Sequence, residues 1–274
     1  MVRATQPTDR RPLRIGWFTT ANGPGSRGMF TAVLNAIQCG HLNAQFEFIF
    51  VNRERGQTGP TDSFIDLAES NRIPTVTISS AKFRQQRKPS TWSELRIEFD
   101  QTVLEHLAPF APDVSVMAGY MLFAPEISRH MLCLNQHPAL PGGTIGKWQD
   151  AIWDVIEQDA DAHGSMIHIA TPELDRGPVV TTCGFTIRGP NYDHLWQDAS
   201  HRNIAHLRKA ADENLPLFAA IREAGVRREQ PLVVETLKAI ADGNIDLTAI
   251  GQDSQSNPVD MTEQVEAAVA RNQH

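Results

Sequence analysis

An asparagine and a histidine stand two positions apart in the segment 134–141, which reads Leu-Asn-Gln-His-Pro-Ala-Leu-Pro. The segment has the composition of a strand that ends before a proline. Because side chains alternate across a strand, Asn135 and His137 project from the same face. An amide N–H beside a protonated imidazole N–H can hold the oxyanion that forms when a carbonyl group is attacked. The pair therefore predicts acyl-transfer chemistry at the carboxyl end of a strand.

A carboxylate from a second segment could complete this pair. Residues 171–178 read Thr-Pro-Glu-Leu-Asp-Arg-Gly-Pro, a composition typical of a loop. Asp175, if it lies beside His137, would stabilise the protonated imidazole, fix its orientation and pass protons through a water molecule. Spacing alone does not bring the two segments together. Two simpler interpretations stay open: Asn135 and His137 as a strand-end pair bonded locally, and Asp175 as a turn residue.

A glycine-rich segment, residues 22–28, lies between a predicted strand and a predicted helix. Glycines at such a place let backbone N–H groups approach an anion, and the start of a helix adds partial positive charge. Arg27 could add a charged hydrogen bond to a phosphate or carboxylate. The spacing fits neither a P-loop nor a dinucleotide-binding fingerprint. A plain strand-to-helix turn explains the segment equally well.

The elements that must position these residues alternate between strand and helix over the first half of the chain. This alternation predicts an α/β fold with a doubly wound, mostly parallel sheet of the Rossmann type. No long helix separates the last two predicted strands, so we expect mixed strand directions in the C-terminal half. The strands are predicted at 13–20, 46–52, 73–78, 114–118, 132–136, 165–170 and 178–187. The helices are predicted at 30–40, 62–71, 92–107, 194–224 and 231–241, with a loop at 21–28.

The same patterns divide the chain into three parts. Residues 1–12 are expected to be a disordered lead-in, 13–230 to form the main domain, and 231–274 to form a helical C-terminal extension with a polar tail. From residue 248 onward we expect weak order, with a frayed helix at 262–270.

Composition excludes several classes of function. The chain has 274 residues and a net charge of -7, which argues against general binding to nucleic acid or anionic membranes. Its 3 cysteines show no Cys-x-x-Cys spacing, so neither a disulfide framework nor a zinc site is expected. We find no apolar run of membrane-spanning length and no apolar signal segment, and therefore expect a cytoplasmic protein.

The motifs Asn-Gln-His-Pro at 135–138 and Glu-Leu-Asp-Arg-Gly-Pro at 173–178 resemble the signature of the formyltransferase family, which uses 10-formyltetrahydrofolate. The resemblance implies a catalytic trio of Asn135, His137 and Asp175. Asn135 and His137 would hold the oxyanion, and Asp175 would support the protonated histidine and help to move the proton. It also implies an amine acceptor, 10-formyltetrahydrofolate as co-substrate, and no metal.

The resemblance covers about residues 13–225 and is strongest to the glycinamide ribonucleotide transformylases. It also assigns two binding regions and leaves His163 and His168 in structural roles. The folate is expected against Met121, Leu122, Phe123, Ile169, Ala170, Thr171 and Glu173. The substrate phosphate and its surroundings are assigned to Gly25, Ser26, Arg27, Arg96 and Gly119.

Three departures from the family pattern bear on the acceptor. Arg27 replaces an asparagine of the phosphate loop, Leu122 replaces an arginine, and the stretch 141–148 is rebuilt around a tryptophan. Glycinamide ribonucleotide is the leading acceptor. The alternative is another small, phosphorylated or anionic amine, such as an amino sugar nucleotide or a specialised metabolite. Formyltetrahydrofolate hydrolysis and a non-catalytic α/β binding protein rank lower. No nucleic-acid or membrane partner is expected, and a homodimer is compatible with the sequence.

Overall fold

The structure, a computed structural model, describes residues 11–87, 91–210, 213–252 and 257–271. Most of the expected lead-in, residues 1–10, lies outside this range. The described residues form one eight-stranded sheet in the order β3-β2-β1-β4-β5-β6-β7-β8. Its strands are β1 (Leu13–Thr19), β2 (Ala44–Val51), β3 (Thr75–Thr77), β4 (Val114–Met117), β5 (Cys133–His137), β6 (Ala162–Ile169), β7 (Val179–Thr186) and β8 (Val259–Asp260).

Strands β1 to β5 run parallel, whereas β5–β6 and β6–β7 pair antiparallel, and β8 joins β7 in parallel. This confirms the predicted doubly wound α/β fold with mixed strand directions in the C-terminal half. The helices are α1 (Pro24–Gln38), α2 (Gly59–Ser70), α3 (Ser80–Gln86), α4 (Trp92–Leu107), α5 (Pro125–His130), α6 (Trp148–Glu157), α7 (Asp193–Ser200), α8 (Ile204–Lys209), α9 (Pro216–Ala241), α10 (Leu247–Gln252) and α11 (Thr262–Arg271).

Both faces of the sheet are covered, because successive large side chains of β1 point to opposite sides. Trp17 packs on one side with α1, against Phe30 at 5.7 Å between ring centroids. Phe18 packs on the other side, in a cluster that includes Phe99 of α4. The carboxyl ends of β1, β4 and β5 are therefore supported from both faces of the sheet. The residues predicted to do chemistry lie at these strand ends.

Two local predictions of secondary structure were wrong. The predicted loop 21–28 ends early, since α1 begins at Pro24, where a proline suits the first turn of a helix. The predicted helix 194–224 is instead α7, α8 and the start of α9. Asn203 caps α8 by accepting a hydrogen bond from the backbone N–H of His206 at 3.0 Å. A new helix then begins at Pro216, which disfavours a helical conformation at the residue before it.

The described part of the C-terminal region contains more secondary structure than predicted. Helix α9 continues through Pro231 to Ala241, so the expected domain boundary after residue 230 falls inside a helix. Beyond it, β8 extends the sheet, and the Met261 N–H donates to the Thr182 carbonyl at 2.8 Å. The predicted helix 262–270 is confirmed as α11, anchored by the fully buried Val265. Within the described part of the chain, no helix is long and apolar enough to cross a membrane.

Candidate active site

The carboxyl end of β5 carries the predicted asparagine and histidine, and the structure brings Asp175 to both. The Asn135 amide nitrogen donates to Asp175 Oδ1 at 3.2 Å. His137 Nδ1 lies 3.7 Å from Asp175 Oδ2. The side chains of His137 and Asp175 are only 4% and 7% exposed. The three groups thus form one buried cluster, in which the imidazole of His137 faces a carboxylate.

Asp175 lies on the loop that connects the antiparallel strands β6 and β7. Because β6 also pairs with β5, this loop brings Asp175 to the end of β5. Its backbone is in the left-handed region, with φ of 50°, which aspartate tolerates better than most residues. Gly177 makes the close return feasible, since a Cβ there would lie 1.7 Å from the Ile169 carbonyl oxygen. The Gly146 N–H donates to Asp175 Oδ2 at 3.2 Å and holds the carboxylate from the other side.

Asp175 is ionised in this environment. Burial by itself would raise the pKa of the carboxyl group. The hydrogen bond with His168, the charges of His137 and His168, and the Gly146 N–H outweigh burial and lower its pKa. A carboxylate that stays charged can stabilise an imidazolium at His137 throughout the neutral range.

His137 already donates to a carbonyl oxygen. Its Nε2 lies 2.6 Å from the Thr144 carbonyl, which can only accept, so Nε2 carries the proton. The Thr144 side chain donates to Asp154, and Asp154 is paired with Arg208 at 2.6 Å. The position of the Thr144 oxygen therefore marks where a carbonyl oxygen can be held by this histidine while Nδ1 faces Asp175.

His168 also belongs to the cluster, although the family resemblance implied a structural role for it. It lies opposite Asn135 on the neighbouring strand β6, where a register shift occurs just before it. Its Nε2 is 3.1 Å from the Asn135 amide nitrogen and 3.5 Å from Asp175 Oδ1. Its Nδ1 donates to the Ile169 carbonyl at 3.1 Å. This contact could not be predicted, because it depends on the pairing register of β5 and β6, which the sequence does not display.

His163 is buried on β6 away from these contacts. Burial, together with the positive charge of Arg222 and of His137, lowers the pKa of His163 to about 4, so its imidazole is neutral at physiological pH. Its ring packs edge-on against Phe185 at 5.7 Å. These contacts fit the structural role that the resemblance implies.

The residues assigned to the folate form an open surface beside the cluster. Met121 is 76% exposed, and Leu174 on the facing loop is 48% exposed. Leu122, Phe123, Ala170 and Thr171 are half-buried, Ile169 is buried and Glu173 is exposed. Exposed apolar side chains on both walls are suited to a flat ring system.

The residues assigned to the substrate phosphate and its surroundings lie on α1, on α4 and after β4. Gly25, Ser26 and Arg27 lie in the first turn of α1, and Ser26 packs so closely on Gly119 that a Cβ there would be 2.5 Å from the serine Cβ. Arg96 lies on α4, with its guanidinium 4.9 Å from the Phe123 ring centroid. The structure thus places Arg96 at the predicted folate surface.

Sequence comparison relates the chain to a known family of proteins. The family described as Formyl transferase matches residues 23–192, which is more than half of the chain. The chain belongs to the formyltransferase family. It is 26% identical over 160 residues to the phosphoribosylglycinamide formyltransferase of Escherichia coli strain K12. That match covers 57% of this chain and 66% of the relative, just under two thirds of its length.

Solved structures share the fold at lower identity. A phosphoribosylglycinamide formyltransferase from Coxiella burnetii is 21% identical, with a TM-score of 0.56, and the match covers 85% of this chain and 89% of that one. A formyltetrahydrofolate deformylase from Burkholderia mallei is 16% identical, with a TM-score of 0.58, and covers 88% and 69%. Both kinds of enzyme are built on the same architecture, which establishes the fold of this family member.

Proposed function

We propose that the protein transfers a formyl group from 10-formyltetrahydrofolate to a substrate amine. The observation that carries the proposal is the meeting of Asn135, His137 and Asp175 at the end of β5. Family membership supports the reaction class. The exposed surface around Met121 suits a folate ring, and 10-formyltetrahydrofolate would supply the formyl group there.

The geometry suggests how the residues act. When an amine attacks the formyl carbon, negative charge develops on the carbonyl oxygen. His137 Nε2–H would donate to that oxygen in place of the Thr144 carbonyl, so the stretch 141–147 must release this hydrogen bond when substrates bind. The Asn135 amide would supply the second donor by giving up its contact with His168 or Asp175.

The buried carboxylate then has two roles. Asp175 stabilises the imidazolium form of His137 across 3.7 Å, which makes the histidine a stronger donor to the oxyanion. It is also the nearby base that can take the proton released by the attacking amine and pass it toward the leaving nitrogen. Both roles need an ionised carboxylate, and the lowered pKa of Asp175 provides it.

Glycinamide ribonucleotide is the first acceptor to consider. The E. coli relative carries that activity in its name, and the first turn of α1 lies against Gly119 beside the folate surface. A different anionic amine is the second candidate, favoured by Arg27 in the first turn of α1 and by Leu122 at the folate surface. The similarity of fold to the deformylase makes water a third acceptor that an experiment must include.

The test uses the purified full chain with 10-formyltetrahydrofolate and three reactions: glycinamide ribonucleotide, a nucleotide-linked amino sugar, and no amine. Mass spectrometry detects the formylated amine or free formate, and absorbance follows the release of tetrahydrofolate. We expect an amine-dependent product with wild type and almost none with Asn135→Ala. Formate without an amine requirement would indicate a hydrolase, and no product in any reaction would refute formyl transfer to these acceptors.

A further inference from the structure

A cavity of about 430 Å³ opens at the carboxyl ends of β1, β2 and β3, beside the proposed folate surface but outside the catalytic cluster. Its size falls within the range of small-molecule sites. Strand ends of this kind, next to the point where the strand order reverses, are where open α/β sheets bind ligands. The lining residues that carry chemistry are Asn52, Arg53, Gln57, Thr58, Arg84 and Trp92.

The lining carries two positive charges and no carboxylate. Arg53 donates to the Asn22 side chain at 3.0 Å, which orients its guanidinium without neutralising it. Arg84 forms no ion pair with any residue in the described part of the chain. The nearest acidic residue in sequence, Glu54, is already engaged by Lys82 at 2.6 Å. The cavity is therefore suited to an anion with more than one negative charge.

The polar lining also offers groups that recognise hydroxyls. Asn52 is only 4% exposed, donates to the Ser80 hydroxyl at 3.2 Å, and has no partner for its side-chain oxygen. A buried acceptor without a donor indicates a missing hydrogen-bond partner. Thr58 and Gln57 line the same cavity. Trp92, half-buried against Phe99, adds a flat apolar wall on which a ring can stack.

The distance from the cavity to the catalytic cluster matches the length of a nucleotide-linked amine. Across the sheet, β5 and β2 are three strand spacings apart, because the order is β2-β1-β4-β5. At about 4.8 Å per spacing this is roughly 14 Å. A nucleoside diphosphate joined to an amino sugar can span that distance, with its amine at His137 and its nucleoside in the cavity.

We propose that this cavity binds the nucleoside diphosphate part of the acceptor. The proposal rests on the proposed function and takes the second candidate acceptor, a nucleotide-linked amine, in preference to glycinamide ribonucleotide. Arg53 and Arg84 would neutralise the phosphates, Asn52 would accept from a ribose hydroxyl or base N–H, and Trp92 would contact the ring. The competing occupant, the glutamyl tail of the folate, needs positive charge but neither the buried amide nor the hydroxyls.

The first experiment measures binding in the absence of folate. Uridine, thymidine and adenosine diphosphates are titrated by calorimetry into wild type and into Arg53→Gln, Arg84→Gln and Trp92→Phe. We expect one diphosphate to bind and each arginine variant to weaken it about 10- to 100-fold, the range for one hydrogen bond to a charged group. Arg227→Ala, an exposed arginine on α9 paired with Glu223, is the matched control and should bind as wild type does.

Four other outcomes would overturn the proposal. No binding of any diphosphate by a folded wild type would refute it, as would equal binding by all variants. Inorganic pyrophosphate binding as tightly as the best nucleoside diphosphate would indicate an anion site only. If Arg53→Gln and Arg84→Gln instead weakened binding of tetraglutamyl folate but not of monoglutamyl folate, the occupant would be the folate tail. Diphosphate binding without formyl transfer would refute only the proposed function.

Discussion

Asp175→Asn tests the electrostatic part of the mechanism. Asparagine keeps the shape of the side chain and tolerates the φ of 50° at this position, so the loop should keep its course. The substitution removes a negative charge 3.7 Å from His137 Nδ1. With an effective dielectric constant of about 20, two unit charges at this distance interact by about 4.5 kcal/mol. This is an upper limit on the lost stabilisation of the imidazolium.

Part of that energy is offset, because wild type bears the desolvation cost of the buried Asp175 carboxylate and the variant does not. We therefore expect kcat to fall roughly 100- to 1,000-fold, with the KM for the folate changed much less. Steady-state kinetics with the best acceptor from the panel provide the measurement, and circular dichroism checks the fold. A kcat within threefold of wild type would show that the Asp175 charge does not support His137.

Two further predictions concern the surroundings of the site. Burial raises the pKa of Asp100 to about 7, so the contribution of this carboxyl group to folding stability, fully present below pH ~4, is lost as the pH rises towards 7. Asp100→Asn should remove up to about 4 kcal/mol of this loss, so the Tm of the variant minus that of wild type should be larger at pH 8 than at pH 5; the same Tm difference at both pH values would contradict the effect of burial. Gly119→Ala places a methyl group 2.5 Å from the Ser26 Cβ at a φ of +64°; we expect about 1–3 kcal/mol of destabilisation in urea unfolding, and unaltered stability would count against this packing.

The placement of Asn135 and His137 could be predicted from the sequence, but their surroundings could not. Asn135 and His137 share a strand, so a two-residue period is enough to place them on one face. Asp175 comes from another segment, and only the resemblance to a family connected it with them. His168 joins the cluster through antiparallel register between β5 and β6, which depends on pairing that no local pattern encodes.

The fold shows the same division between local and tertiary signals. The predicted helix 92–107 agrees with α4 because a capping box, Thr91 with Glu94, marks its start. The predicted helix 194–224 was wrong because its apolar spacing concealed the breaks between α7, α8 and α9. Strand β8 was missed because two residues carry no periodicity, and only its pairing with β7 makes it a strand.

The most direct test of the account follows a labelled formyl group. Tetrahydrofolate carrying a ¹³C-formyl group is mixed with the acceptor and with wild type, His137→Ala or the control His106→Ala, an exposed histidine on α4. NMR then measures the label in the formylated amine. We predict transfer by wild type and by the control, with a rate at least about 1,000-fold lower in His137→Ala. Transfer by His137→Ala at the wild-type rate would contradict the assignment of the catalytic site.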